Sequence, residues 1–263
     1  MTLPLFTASD DPGPSFLALV QRVGERPFAT GHGALSVPVA HATTCVAVRY
    51  VDGVVMAGDR RATSGNLISS RGMEKIHPAD SHSGVAIAGA AGPAMEMVKL
   101  FQLQLEHYEK VEGNQLSLDG KANQLSQMIR ANLPAAMQGM VVVPIFAGFD
   151  LRTGTGRLFQ YDVTGGRYEE ANHVATGSGS LHAGTVIKLG FRDGLSRIEA
   201  VDLVTRALFE AADSDSATGG PDPLRGIYPM IATISDEGFL LVPEPEVAER
   251  FTLVMSALGG DRS

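Results

Sequence analysis

The chain has 263 residues with 29 acidic against 21 basic, a net charge of −8, and 44% hydrophobic residues. That length suits one large domain or two small ones, and the acidic balance leaves no basic footprint for nucleic acid. A single cysteine, Cys45, excludes an internal disulfide framework and cannot alone build a zinc site, which reads as an intracellular, cytoplasmic chain. The best apolar run, Val141 to Ala147, is short and broken by Pro144, so no membrane span is expected.

Residues 1–42 carry breaker signals, Asp10-Asp11-Pro12-Gly13-Pro14 and Gly31-His32-Gly33, around one short amphipathic piece near residues 15–24. They read as a leader. From Thr43 onward the pattern turns to strands: Thr44, Val46 and Val48 alternate with Cys45 and Ala47, Asp52-Gly53 marks a turn, and Val54–Gly58 follows. A third strand is expected over Gly84–Gly89, making a β-meander. Two helices come next, one on a stripe of Ala94, Met97, Val98, Phe101, Leu105 and Tyr108, the other on Leu125, Met128, Ile129, Leu133 and Met137. Strands resume over Val141–Phe149 and Gly156–Asp162. A second helix pair (Leu181–Phe191, Arg197–Ala212), strands at Pro229–Ile234 and Phe239–Val242, and a helix from Glu246 to Met255 close the chain. Strands that neighbour one another through short turns argue against a doubly wound parallel sheet and for an α+β fold, two antiparallel sheets between helix layers.

The junction His41-Ala42-Thr43-Thr44 stands out chemically. A threonine hydroxyl is a weak nucleophile unless a nearby base takes its proton, and an α-amino group, titrating near pH ~7.7–8.0, is one such base. It exists at Thr43 only if the chain is cut between Ala42 and Thr43. Ala40-His41-Ala42 also has the A-x-A form of a signal-peptidase site, but no apolar h-region precedes it, which ranks export below self-processing. Such a nucleophile further needs a cation, a carboxylate to orient that cation, and oxyanion donors. Gly58-Asp59-Arg60-Arg61 ends a strand with a carboxylate, Lys75 follows sixteen residues later, and Ile87-Ala88-Gly89 leaves a strand into a glycine-rich turn.

Thr43-Thr44, Gly58-Asp59-Arg60-Arg61, Lys75 and Ile87-Ala88-Gly89 together resemble the proteasome β-subunit family, as do Ala175-Thr176-Gly177-Ser178-Gly179-Ser180 and Asp213 to Asp222. The last segment, with Leu105 to Lys110 and Ala135 to Gly139, is most similar to the actinobacterial, bacterial 20S type. The resemblance runs from about His41 to near the C-terminus. It implies the four-layer αββα sandwich of the N-terminal-nucleophile hydrolases, residues 1–42 as a propeptide removed by self-cleavage, and residues 43–263 as a threonine peptidase domain. Carried over residue by residue, it makes Thr43 the nucleophile, Lys75 the cation against its hydroxyl, and Asp59 the residue that holds Lys75. Gly89 supplies an oxyanion N–H, and Ser178, Asp215 and Thr218 are supporting polar groups; the family's usual serine falls on Thr218. Ala62, Thr63, Met73, Ile87 and Ala91 would line the primary side-chain pocket and favour apolar substrate side chains.

The resemblance also implies seven-membered β rings stacked between α-subunit rings, and a regulatory ATPase ring delivering unfolded or, in actinobacteria, pupylated protein. No cofactor or metal, nucleic acid or membrane enters this reading. The departure is Ala42, where the family has glycine. Alanine reaches the backbone conformations of a tight turn less easily, which predicts slower processing or an uncut, inactive precursor. The competing readings are the shorter bacterial threonine protease of the same superfamily and a catalytically silent ring subunit. Cys45 reads as a small buried apolar side chain.

Overall fold

A computed structural model describes residues 43–260. Residues 1–42, including the expected leader with its amphipathic piece near residues 15–24 and Ala42, lie outside the described residues. Twelve strands and six helices follow one another within this span. Sheet one has the order β10-β1-β2-β11-β12, built from β1 (Thr44–Tyr50), β2 (Gly53–Gly58), β10 (His173–Gly177), β11 (Met230–Ser235) and β12 (Gly238–Leu241). Sheet two has the order β5-β6-β7-β8-β9, from β5 (Ile76–Asp80), β6 (Ser83–Ala86), β7 (Ile145–Asp150), β8 (Thr155–Tyr161) and β9 (Arg167–Glu170). All pairings in both sheets are antiparallel. A two-stranded ribbon, β3 (Ala62–Ser64) with β4 (Leu67–Ser70), stands apart from both.

Alternation along the strands sorts side chains into three cores, because successive residues of a strand face opposite sides. Val46, Val48 and Tyr50 of β1 point outward with Val55 and Ala57 onto α4 (Ser180–Gly190), α5 (Arg197–Ser214) and α6 (Glu244–Gly260). Cys45 and Ala47 of the same strand point inward with Val54 and Met56, against Ile76, Ala86, Ile145, Ala147 and Leu158 of sheet two. Phe146, Phe159 and Tyr161 point out of sheet two onto α1 (Ala91–Glu112) and α2 (Leu118–Ala131). The result is helix, sheet, sheet, helix. This is the expected αββα sandwich, and it explains why β1 and β2 are buried along nearly their whole length.

Several sequence expectations change in detail. The meander is divided: β1 and β2 belong to sheet one, while β6 (Ser83–Ala86) pairs in sheet two. β7 starts at Ile145 instead of Val141, since Pro144 cannot donate to a ladder and Val142 makes only an isolated bridge to Gly89. The second helical stripe stops at Ile129. Pro134 ends α2 and begins a one-turn helix α3 (Leu133–Ala136), so Leu133 is half-buried and Met137 exposed. Tyr108, expected on the buried stripe of α1, is partly exposed. Strand β5 carries Pro78, a breaker by sequence, and tolerates it as the edge strand with a register shift between Pro78 and Asp80. α5 begins in a capping box, with Ser196 and Glu199 exchanging side-chain and backbone hydrogen bonds.

The outer core of sheet two turns on Phe146, which is fully buried, edge-on to Phe101 at 5.9 Å and stacked with Phe159 at 5.8 Å. Phe146→Ala removes both ring contacts and leaves a cavity; it is expected to lower unfolding stability by about 3–5 kcal/mol, read from urea unfolding of the variant beside the parent.

Candidate active site

Two neighbouring threonines face opposite sides at the mouth of sheet one. Thr44 is in register with Val46 and Val48, toward the helices; extending the alternation by one residue puts Thr43 on the side of Cys45, between the sheets. Both threonines are buried. The peptide joining them is held at both polar ends. The Thr43 carbonyl accepts the Ser178 N–H at 3.0 Å, and the Thr44 N–H donates to Asp59 Oδ1 at 2.9 Å. The clamp needs glycine at position 177, whose φ is +97° and where a Cβ would lie 1.7 Å from the Thr43 carbonyl oxygen.

Asp59 stands just past the end of β2 and is fully buried, as is Lys75 just before β5. The Lys75 ammonium lies 2.6 Å from Asp59 Oδ1 and donates to the Arg61 carbonyl at 2.6 Å. Asp59 Oδ2 accepts two backbone N–H groups, from Arg61 and Gly219, each at 2.8 Å. Each carboxylate oxygen thus takes two hydrogen bonds, from partners on four chain segments. That saturation is what lets the charge sit in a dry interior, since an unpaired buried carboxylate would cost several kcal/mol. Gly58 makes the approach possible: a Cβ there would meet Cys45 Sγ at 3.1 Å and the Lys75 Cβ at 3.2 Å. Cys45 itself donates to the Ile87 carbonyl at 3.4 Å, and burial pushes its thiol up to about 12, so it is an inert packing group.

On the helix side, Asp215 closes α5. Its Oδ2 accepts the Ser178 hydroxyl and the Thr218 hydroxyl, both at 2.6 Å, and its Oδ1 accepts the Ala217 N–H at 3.1 Å. Partial burial raises the carboxyl, but these donors outweigh it and hold it below the usual carboxylate range. Thr218, fully buried, also lies 2.6 Å from the Thr44 hydroxyl, which accepts the Gly179 N–H at 3.0 Å.

The sequence-predicted residues therefore divide. Thr43, Asp59, Lys75, Ser178, Asp215 and Thr218 converge on one hydrogen-bonded cluster. Gly89 stands beside it without a hydrogen bond to it. Its φ of +110° and a Cβ position 2.1 Å from the Val141 carbonyl oxygen admit only glycine. The bonds that fix this turn, Ala90 N–H to Val141 and Val143 N–H to the Ala88 carbonyl, leave the Gly89 N–H outside the bridge. Bonds of its neighbours run toward the cluster: Ile87 N–H donates to the Lys75 carbonyl at 2.9 Å, and the Thr176 hydroxyl donates to the Val143 carbonyl at 3.2 Å. Of the pocket residues, Ile87 and Met73 pack into the same apolar core, Ala62 and Thr63 head β3, and Ala91 opens α1. Thr44, Gly177 and Gly219 belong to the cluster as well, though the sequence alone does not single them out. The signal for Thr44 is a polar residue at the head of the helix-facing register that Val46 and Val48 continue. Among the described residues there is no cluster of His, Cys, Asp or Glu able to hold a metal ion, and no helix is long and apolar enough to cross a membrane.

Comparison with known proteins agrees with this geometry. Residues 39–222 match the family of proteasome subunits. The chain belongs to the proteasome family, among the bacterial β subunits. It is 57% identical over 250 residues to a proteasome subunit beta of Acidimicrobium ferrooxidans, covering 95% of this chain and 92% of that one. It is 56% identical over 226 residues to a proteasome subunit beta of Streptomyces griseus, covering 86% and 80% respectively. The match spans both halves of the cluster, from the strand that carries Thr43 to the loop that carries Thr218.

Two outcomes follow for this proteasome-family chain. Asp59→Asn strips the counter-charge from the buried Lys75 ammonium and is expected to cost about 3–5 kcal/mol in urea unfolding at neutral pH. Asp215, with its native carboxyl held low, stabilises the fold above the ordinary carboxylate value and loses that contribution as pH falls through its native one. The stability gap between parent and Asp215→Asn should therefore be widest at neutral pH and narrow below pH ~4, read as urea midpoints at several pH values.

Proposed function

We propose that the chain is a catalytic β subunit of a 20S-type proteasome core, hydrolysing peptide bonds through Thr43 as an N-terminal nucleophile. The observation that carries this reading is the placement of Asp59: one carboxylate binds both the amide directly after Thr43 and the buried Lys75 ammonium. A nucleophile that must become a chain terminus cannot be anchored from upstream. Here Thr43 is anchored from downstream, through the clamped peptide to Thr44.

In this proposal the Thr43 hydroxyl first attacks the Ala42 carbonyl, the Ala42–Thr43 amide becomes an ester on Thr43 Oγ1, and water hydrolyses that ester. Residues 1–42 leave with a carboxylate, and Thr43 keeps a terminal amine. In each later turnover the amine takes the proton from the Thr43 hydroxyl as Oγ1 attacks a substrate carbonyl, while the Lys75 ammonium favours the alkoxide electrostatically. The oxyanion formed is stabilised by the Gly89 N–H, whose left-handed backbone keeps it out of the neighbouring bridge. The proton passes to the leaving amine, and water releases the acyl group from Thr43. Ser178 and Asp215 support the new terminus, with Ser178 bonded through its N–H to the Thr43 carbonyl and through its hydroxyl to Asp215. Ala62, Thr63, Met73, Ile87 and Ala91 line the primary side-chain pocket and favour apolar side chains.

As a proteasome subunit the chain assembles in rings with α subunits. We take its own ring to be a homo-heptamer, its location cytoplasmic, and its supplier of unfolded or pupylated substrates a regulatory ATPase ring. The second reading is a silent ring subunit, favoured by Ala42 in place of the family's glycine. The intact mass of the purified, assembled protein, measured with its peptidase activity, separates the two. Cleavage before Thr43 with hydrolysis of an apolar peptide amide is expected; Thr43→Ala should retain residues 1–42 and lose at least about a thousandfold in activity, while Ala42→Gly should speed the cut. An uncut, inactive parent whose Ala42→Gly form is cut yet still inactive sinks the catalytic reading.

A further inference from the structure

We infer that Thr44, the residue after the nucleophile, is a positioning residue that links the two carboxylates of the site and so holds Ser178 and Thr218 in place against Thr43. This inference rests on the threonine-peptidase reading above and adds a residue to it. Thr44 is fully buried, and its N–H and its hydroxyl serve opposite halves of the cluster. Its N–H donates to Asp59 Oδ1 at 2.9 Å, on the Lys75 side. Its hydroxyl meets Thr218 Oγ1 at 2.6 Å and accepts the Gly179 N–H at 3.0 Å, on the Asp215 side.

The direction of the hydroxyl chain follows from proton counting. Asp215 Oδ2, ionised at neutral pH, only accepts, so the Thr218 hydroxyl spends its single proton there at 2.6 Å. The bond between the two threonines must then run from the Thr44 hydroxyl to Thr218 Oγ1. The polar sequence is Gly179 N–H to Thr44, Thr44 to Thr218, and Thr218 to Asp215, each member donating to the next. Such a chain strengthens its own links, because a hydroxyl that accepts a bond becomes a better donor. Its outlet, Asp215 Oδ2, is also where the Ser178 hydroxyl is tied. The spacing leaves no slack. A Cβ on Gly179 would fall 2.6 Å from both the Thr44 and the Thr218 hydroxyl oxygens. Losing the Thr44 hydroxyl would strand a buried Gly179 N–H between Ser178 and α4, and would remove the donor to Thr218.

The test compares Thr44→Val, which keeps the branched shape without the hydroxyl, with Thr44→Ser, which keeps the hydroxyl, in the assembled and N-terminally cut protein. Steady-state hydrolysis of a fluorogenic apolar peptide amide should show kcat lowered about tenfold in Thr44→Val with KM within about twofold, and Thr44→Ser within about threefold of the parent. Thr44→Val at the parent kcat, or Thr44→Ser as impaired as Thr44→Val, overturns the inference while leaving Thr43 chemistry standing. A cut parent without activity overturns the peptidase reading and this inference with it. If Thr44→Val fails to assemble, Thr44→Cys carries the comparison, its weak S–H donor giving a kcat below that of Thr44→Ser and down by up to about tenfold from the parent; a Thr44→Cys rate equal to the parent's overturns the inference.

Discussion

The buried ion pair between Asp59 and Lys75 is the constraint around which the rest of the structure is arranged. Two opposite charges in a dry interior are stable only when every lone pair and proton has a partner, because Coulomb attraction alone does not repay the loss of water. Asp59 meets that condition by drawing on the start of β1, its own turn at Arg61, the approach to β5 and the loop at Gly219. Each of those segments is fixed in the act of satisfying the carboxylate. Gly58 and Gly219 are glycines for the same reason: a side chain at either would press on the pair or on the residues bonded to it.

The position of the pair also explains the use of two sheets. Lys75 comes from the approach to sheet two, and Asp59 from the end of a strand of sheet one, so the ion pair crosses the inter-sheet core at its rim. The apolar packing of Cys45, Met56, Ile76 and Ala86 behind it excludes water from one side. On the other side of sheet one, the helix layer contributes Asp215 at the C-terminal end of α5 and the turn that enters α4. Thr44 lies between these two polar groups, because the strand alternation that sends Thr43 inward sends Thr44 outward. A two-threonine start to β1 therefore reaches both halves of the cluster, where a single threonine followed by an aliphatic residue would reach one.

The buried thiol of Cys45 shows how the same surroundings can silence one group and organise another. It lies beside the pair, yet burial raises its pKa to about 12 and its proton goes to the Ile87 carbonyl. Asp215, only partly buried, has three donors aimed at its oxygens and is held in the charged form. Burial alone silences the thiol, whereas at the carboxylate several directed hydrogen bonds together outweigh burial.

By itself, the sequence determined that antiparallel strands lie between helix layers and where most helices run, because the alternation in β1 and the 3.6-residue stripe in α1 are properties of local chain geometry. It also singled out Thr43, Asp59 and Lys75, through likeness to a known family, as residues that the fold then brings into one cluster. It left β5, β9, β10 and the β3–β4 ribbon unread, since a proline, a charged tetrad, a glycine motif and an exposed run carry no alternating apolar signal of their own. Only the tertiary structure decided that the first strands belong to different sheets, and that Gly177 and Gly179 clamp the two threonines from across β10. Those depend on pairings distant in sequence, about sixty positions for β6 with β7 and more than a hundred for Thr44 with Gly177 and Gly179. Nothing in a local window encodes them; they are fixed by hydrogen bonds that close only when both sheets and the helix layer have packed.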